Sequence, residues 1–371
     1  LNVIGGVATA IGNDFISNSQ YGMHVSGGDF ITLTSNDFTG NAKTAYLEAS
    51  VGFSHSSNTS TDIANRGFET SGYVRDGTIW QTNDLPFIIP SSNILFVPIG
   101  HTLIIESGSV VKFGSAGQMI VYGALISQGT DTSKIYFTSL KDDTVAGDTN
   151  GDGAASLSNM TDWNGLTFQT SSVGNVSHTI IRYSGGFNGT DRAAVFNLGG
   201  NLLLDNITFS NNYQYDIYQN TGSSTISRSL FSTTTSSALW NTGTSTIDAR
   251  LNWWGTNAGP VISDNVLFDP WLKRDPALPN PVIIVPGIIG SRLVDIDESE
   301  VWPNVPLMIF PGQDDFLNFL MLTVGGQLIE NVSPSSIIKE LGDNDFFTSL
   351  LITLETNGYV NEGDLFEYPY D

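Results

Sequence analysis

Oxygen-bearing residues alternate in the short segment GDTNGDG, residues 147–153. Asp148, Asn150 and Asp152 take the first, third and fifth positions of a loop, and a glycine follows at the sixth, where calcium-binding loops turn sharply. This spacing predicts a structural calcium site with these three residues as ligands. The twelfth position carries Asn159 instead of the bidentate glutamate of an EF-hand, so another carboxylate is needed.

Three nearby residues could supply that carboxylate, namely Asp142, Asp143 and Asp162. The same composition also suits a polar insertion in which Asp and Gly act only as turn formers. Both interpretations stay open at this point. In either case the segment contributes stability rather than catalysis, and no cofactor is expected to be required for catalysis.

A second pattern with chemical potential is NPVIIVPGIIGSRL, residues 280–293. Four branched apolar residues, 282–285, predict a buried parallel strand, and Pro286-Gly287 turns the backbone at its carboxyl end. Ligands of open α/β sheets bind beyond the carboxyl ends of the strands, and amides in a Gly-flanked turn can stabilise an oxyanion. Residues 287–290 are therefore a candidate oxyanion loop.

A nucleophile to accompany such a loop is missing from the sequence. The pattern G-x-S-x-G does not occur, and the nearest string, GFSHS at 52–56, lacks the second glycine. The chain has no cysteine, which excludes thiol catalysis and Cys-ligated zinc. We predict surface or turn positions, not catalytic roles, for the four histidines, which are His24, His55, His101 and His178.

The charge balance excludes one class of partner. Thirty-seven acidic residues face 14 basic ones, which gives a formal net charge of −23. Such a surface repels phosphate backbones and anionic membranes, so nucleic acid is not an expected partner. No apolar run reaches the roughly 18 residues of a membrane span. The basic residues are too scattered to indicate a polysaccharide lyase site.

Internal repeats organise the first three quarters of the chain. Asn13-Asp14-Phe15 recurs 23 residues later as Asn36-Asp37-Phe38. Asn197, Asn220 and Asn241 recur at spacings of 23 and 21 residues, each after a short apolar group. Periods in the low twenties, with short Val/Ile/Thr-rich strands between Asn/Gly turns, predict a parallel β-helix with three strands per turn. A β-sandwich of antiparallel hairpins is the alternative.

The composition changes after Pro270. Residues 273–281 contain too many prolines for a strand or helix and are predicted to form a linker. We therefore predict a β-helix at 1–272, a Pro-rich linker at 273–281 and a separate domain at 282–371.

Two segments carry resemblances to known families. Residues 98–141, PIGHTLIIESGSVVKFGSAGQMIVYGALISQGTDTSKIYFTSLK, resemble the coils of large bacterial surface proteins of right-handed β-helix type. VIIVPGIIGSRL at 282–293 and GYVNEGDLFEYPYD at 358–371, with VWPN at 301–304 and a helix-like stretch at 316–322 between them, resemble the lecithin:cholesterol acyltransferase-like family of α/β-hydrolases. The second resemblance covers about the last 90 residues.

The second resemblance implies a lipid-ester hydrolase or O-acyltransferase with a Ser-Asp-His triad and a lipid or acyl-ester substrate. It implies that Ile288, with Ile289 as the neighbouring candidate, donates an oxyanion-hole amide. All three triad members are then expected beyond Asp371, so the fragment alone is expected to be inactive. Extracellular or cell-surface localisation is expected, with the signal peptide outside the sequence. The alternative is a non-catalytic β-helix for adhesion, which binds surface glycans.

Overall fold

A computed structural model describes residues 1–81, 84–188, 191–232, 237–256, 258–272, 282–287, 290–303 and 331–356, with 305, 321, 323–324, 359, 361 and 365–369. The chain divides into two compact units, Leu1–Pro276 and Ala277–Asp371. The first unit is a parallel β-solenoid of about 11 turns, so the predicted β-helix is confirmed as a parallel solenoid.

Three strand columns follow the chain around the solenoid, and strands of successive turns pair in parallel within each column. In columns 2 and 3 the first three strands form separate three-stranded sheets. Column 1 contains Asn2–Ile4, Tyr21–Ser26, Lys43–Leu47, Ala64–Glu69, Phe87–Ile89, Val110–Phe113, Ile135–Ser139 and Leu230–Phe231. Column 2 contains Val7–Ile11, Phe30–Thr34, Gly52–Ser56, Gly72–Tyr73, Ile94–Val97, Gln118–Val121, Leu166–Phe168 and Leu239–Asn241. Column 3 contains Asp14–Ile16, Asp37–Thr39, Thr59–Thr61, Thr78–Trp80, Thr102–Glu106, Ala124–Gln128, Ile247–Asp248 and Val266–Leu267.

Longer strands pass through more than one column near the C-terminal end of the solenoid. These strands are Val173–Arg182, Asp191–Ser210 and Tyr215–Ser227, and the short strand Gly186–Asn188 pairs with the second of them antiparallel. Alternate side chains point inward and form one continuous apolar core. Aromatic rings stack from turn to turn inside it, as in the pair Phe113 and Trp163 at 4.1 Å.

The observed strand register matches the sequence repeat in the first two turns. Further along the chain it differs from the predicted register by one residue. Asp14 pairs with Asp37 and Phe15 with Phe38, whose rings stack at 4.8 Å, as the 23-residue repeat predicts. The predicted alignment of Asn220 with Asn197 and Asn241 is wrong, because Gln219 occupies that position. The longer Gln219 side chain provides the same amide there.

Asparagine side chains form ladders along the solenoid. Asn13 Nδ2 donates to Asn36 Oδ1 at 3.0 Å, Asn36 Nδ2 to Asn58 Oδ1 at 2.9 Å, and Asn58 Nδ2 to Asp84 Oδ2 at 2.5 Å. A parallel ladder joins Asn18, Asn41 and Asp62. The inner amides Asn36, Asn58 and Asn41 both accept and donate, whereas the last residue of each ladder only accepts. A carboxylate therefore ends each ladder.

The contacts at the end of the first ladder contradict the sequence prediction for one histidine, His55. His55 is 5% exposed, and its Nδ1 lies 2.5 Å from Asp84 Oδ1. The expectation of a surface or turn position is wrong for His55, because the inward alternation of strand Gly52–Ser56 places its ring in the interior.

Removing one rung should weaken the solenoid without abolishing the fold. Asn36→Ala is expected to lower the free energy of unfolding by about 1–2 kcal/mol, because the amide contacts to Asn13, Asn58 and the Ala10 carbonyl are lost. Chemical denaturation followed by circular dichroism measures this loss. A variant as stable as the parent chain would contradict a stabilising ladder.

The second unit is smaller and mixed. Val282–Ile284 pairs in parallel with Leu365–Glu367. Ser291–Val294 pairs antiparallel with Glu300–Trp302 and Ser333–Ile337, and Glu340–Leu341 pairs antiparallel with Asn344–Asp345. One short helix, Thr348–Thr356, is present in the described part. The strand predicted as buried is only partly so, since Ile283 and Val285 are 60% and 56% exposed.

Candidate functional site

A long insertion between strands Ile135–Ser139 and Leu166–Phe168 lies against the outward face of column 1. Outward-facing residues at equivalent positions of four successive turns are fully buried, namely Glu69, Ile88, Lys112 and Thr138. Outward positions of a solenoid normally face water, so their burial requires a cover. The contacts of the insertion with these turns provide that cover.

Lys112 holds the insertion in place. Its ammonium group donates to the Asp142 carbonyl at 2.9 Å, the Gly147 carbonyl at 2.9 Å and Thr149 Oγ1 at 2.6 Å. Burial lowers the pKa of Lys112 to about 8, although Asp142 and other nearby carboxylates oppose the shift. The charged form therefore binds neutral oxygen atoms and ties one turn of the solenoid to residues 142–149.

Contacts with an earlier turn extend the insertion toward the N-terminal end. The Arg66 guanidinium donates to the Asp148 carbonyl at 2.9 Å and pairs with the Asp148 carboxylate at 3.3 Å. Gly151 approaches so closely that a Cβ atom there would lie 1.8 Å from the Ile63 carbonyl oxygen. With a φ of 76°, this position requires glycine on both steric and conformational grounds.

Three carboxylates of the insertion converge on its surface. One oxygen each of Asp143, Asp148 and Asp152 lies within 4.8 Å of the others. Burial would raise the pKa of Asp148, but the amides of Gly153 and Gly151, together with the Arg66 cation, outweigh it and lower the pKa. The pKa of Asp143 is raised by burial and by repulsion from Asp148.

The cluster differs in part from the predicted ligand set. Asp148 and Asp152 are brought together, and Asp143, one of the three substitutes named from the sequence, joins them. Asn150 lies on the same loop, and its amide nitrogen donates to Ser156 Oγ at 3.0 Å. The other two substitutes contact basic residues instead: Asp142 pairs with Arg182, and Asp162 with Lys141.

The oxygen atoms at this cluster fit a calcium ion. Asp143 Oδ1 and Asn150 Oδ1 are buried and have no hydrogen-bond partner in the described part of the chain. A buried unpaired oxygen is costly, and calcium prefers carboxylate and amide oxygens as ligands. Asp143, Asp148 and Asp152 would hold the ion and add stability to the insertion. Calcium binding itself stays a prediction.

The candidate oxyanion loop is described only at its ends. Strand Val282–Ile284 leads into Pro286 and Gly287, and the Gly290 amide donates to the Gly287 carbonyl at 2.9 Å. The predicted amide donors Ile288 and Ile289 and the linker at 273–281 lie outside the described residues, and of the helix-like stretch at 316–322 only Met321 is described. Their assigned roles stay predictions.

Comparison with known proteins gives no match to a family model, a curated protein or a solved structure. In the described part of the chain, no helix has the length and apolar character needed to span a membrane.

Proposed function

We propose that this chain belongs to a lipid-ester hydrolase or O-acyltransferase of the lecithin:cholesterol acyltransferase-like kind, exported and carried on the β-solenoid. The second unit would supply the strand and oxyanion loop that open an α/β-hydrolase domain. The solenoid would be a rigid, calcium-stabilised support. A lipid or other acyl ester is the proposed substrate.

The observation that carries this proposal is a parallel strand pair with a helix before its second strand. Val282 pairs with Leu365 and Ile284 with Glu367, and helix Thr348–Thr356 lies between the strands in sequence. Parallel neighbours need a crossover connection, commonly a helix. Leu351 of this helix packs with Ile284 and Leu365 in one core cluster, so the helix lies against the strand pair, as in an α/β sheet.

The position of the loop agrees with the proposed role. Pro286 and Gly287 follow the first strand of the pair at its carboxyl end, where ligands of α/β sheets bind. A Cβ atom at Gly290 would lie 2.7 Å from Pro286 Cβ, so the tight turn needs glycine there. Backbone amides of Ile288 and Ile289 are the proposed oxyanion donors, since backbone donation leaves apolar side chains free to contact an acyl chain.

The test is an esterase assay on the protein expressed from its whole gene, with p-nitrophenyl esters of several chain lengths. Ile288→Pro removes the amide hydrogen and is expected to lower kcat by about 10²–10³-fold. Ile288→Ala keeps that amide and serves as the matched control. Circular dichroism of both variants checks that the fold is retained.

Two results would contradict the proposal. One is a whole gene product that contains no Ser-Asp-His set, or that folds but shows neither ester hydrolysis nor acyl transfer. The other is an Ile288→Pro variant that hydrolyses the ester as fast as the Ile288→Ala variant.

A further inference from the structure

A lysine, an asparagine and a glutamate meet on the outward face of column 1. Lys43 belongs to strand Lys43–Leu47, and Asn65 and Glu69 belong to the next strand of the column, Ala64–Glu69. The two strands pair in parallel on successive turns. The three side chains therefore come from neighbouring turns of the solenoid and not from one continuous loop.

A bulge in the later strand holds Asn65 at this face. Ala64 pairs with Lys43 and Phe68 with Ala45, so four steps along the later strand match two along the earlier one. Asn65 lies inside this bulge with a φ of 47°, in the left-handed region that asparagine adopts more readily than most residues. This backbone conformation fixes its side-chain amide beside the end of the Lys43 side chain.

A single carboxylate oxygen accepts hydrogen bonds from both nitrogen atoms. Glu69 Oε1 accepts from Lys43 Nζ at 3.0 Å and from Asn65 Nδ2. Glu69 Oε2 accepts from Tyr21 Oη at 2.5 Å, which fixes the orientation of the carboxylate. The lysine nitrogen and the asparagine amide are thus neighbours across one shared oxygen atom.

The carboxylate lies in the interior, and the lysine reaches it from the surface. The side chain of Glu69 is 1% exposed and that of Lys43 is 37% exposed. Arg66, the residue after Asn65, donates to the Asp148 carbonyl at 2.9 Å, so the insertion covers one side of the site. A buried charge is costly, and proton transfer from the lysine to the glutamate leaves two neutral groups. The open side lets a small molecule leave.

We propose that Lys43 and Asn65 form an intramolecular isopeptide bond, with Glu69 as the catalytic residue. Glu69 takes a proton from Lys43 Nζ, and the free amine attacks Asn65 Cγ. A second proton passes from the attacking nitrogen through the carboxyl group to Nδ2. The Nζ–Cγ bond forms, the Cγ–Nδ2 bond breaks and ammonia leaves. Ammonia takes up the proton that remains on Glu69, so the carboxylate is restored and no co-reactant is needed.

The bond joins two successive turns of the solenoid. The chain has no cysteine, so disulfides cannot link its turns. A link between residues 43 and 65 restricts the unfolded chain in the way that a disulfide does. The folded strands hold the reacting groups next to each other, which favours a reaction that is slow between free molecules. This cross-link is independent of the proposed ester chemistry.

Another lysine pairs with a buried carboxylate but lacks the third group. Lys141 Nζ donates to Asp162 Oδ1 at 2.7 Å, and the two side chains are 39% and 8% exposed. The other donors to Asp162 in the described part of the chain are the Ser139 hydroxyl and the Asn159 backbone amide. Neither group is a side-chain amide that a lysine could attack. Lys141 is therefore an internal control that keeps its free amine.

The first test is mass spectrometry of the full chain. Its intact mass is expected to be lower than the mass of the sequence by one ammonia. Proteolysis after glutamate separates residues 1–48 from residues 49–69, and these two fragments are expected to stay joined. In the denatured chain, trypsin is expected to cleave after Lys141 but not after Lys43. An intact mass equal to that of the sequence overturns the proposal. A loss of ammonia with the two fragments separate also overturns it.

Variants test the roles of the residues. Glu69→Gln is expected to have the full mass of its sequence, because glutamine cannot take up the lysine proton. Lys43→Arg keeps the positive charge without a nucleophilic amine and is expected to have its full mass too. Glu106→Gln changes an exposed carboxylate and is the control that keeps the bond.

Circular dichroism shows whether each variant is folded. If Glu69→Gln does not fold, Lys43→Arg decides, since it leaves the carboxylate in place. The proposal is also overturned if the folded Lys43→Arg chain still lacks one ammonia, or if a folded Glu69→Gln chain forms the bond as completely as Glu106→Gln does.

Discussion

Asp84→Ala is expected to lower the free energy of unfolding of the solenoid by about 3–5 kcal/mol, because several buried donors lose one acceptor and each unsatisfied buried donor costs roughly 1–3 kcal/mol. The side chains of Asp84 and His55 are each 2% exposed. Asp84 also accepts hydrogen bonds from the backbone amide of Asn58 at 2.9 Å and from that of Leu85 at 2.7 Å. Without the carboxylate, these buried donors and the end of the Asn13 ladder lose their common acceptor.

Equilibrium denaturation in guanidinium chloride measures this effect. Asp84→Asn keeps one acceptor oxygen and should cost less than Asp84→Ala. Asp14→Ala removes an exposed carboxylate of the same solenoid and is the matched control for charge. If Asp84→Ala and Asp14→Ala were equally stable, the ladder end would have no special importance.

The pH dependence gives an independent check on Asp84. Burial raises its pKa, but the hydrogen bond and charge of His55, together with the Asn58 and Leu85 amides, outweigh burial and lower the pKa below 3.8. A lowered pKa means that the carboxylate stabilises the fold above that ordinary value and ceases to do so as the pH falls through the folded-state pKa. The difference in the free energy of unfolding between the parent chain and Asp84→Ala should therefore become smaller in strong acid.

The local repeat could be predicted from the sequence, but the ladder ends could not. Asn13 and Asn36 stand in nearly identical strings, and equal spacing places equivalent residues of successive turns in register. Asp84 follows Asn58 by 26 residues instead of 22 or 23, in a string without the repeat pattern. Only the three-dimensional path of the chain places the Asp84 carboxylate beside the Asn58 side chain.

The candidate calcium site could likewise be predicted only in part from the sequence. The alternating oxygen residues in GDTNGDG indicated Asp148 and Asp152, because the pattern is local. The burial of Lys112 could not be predicted, since it depends on where the insertion covers column 1. One available signal was the lysine within the apolar string VVKF, whose position alternates with core residues.

Calcium is expected to raise the thermal stability of the chain, and Asp143→Asn to remove that increase. An ion that binds only the folded state adds about 2.7 kcal/mol at 100 times its dissociation constant. Without calcium, the same variant should be more stable than the parent chain, because the raised pKa of Asp143 reports repulsion from Asp148 and burial of its charge. Asp143→Asn is thus expected to stabilise the chain in the presence of a chelator and to destabilise it, relative to the parent chain, in the presence of calcium.

Differential scanning calorimetry in EDTA and in excess calcium measures both effects, with Asp264→Asn, an exposed carboxylate elsewhere on the solenoid, as control. Protons compete with calcium for Asp143, so the calcium-dependent increase should shrink as the pH falls through its raised pKa. An equal increase in the parent chain and in Asp143→Asn would place the ion elsewhere. No increase in the parent chain would leave residues 147–153 as a turn-forming insertion held by Lys112 and Arg66 alone.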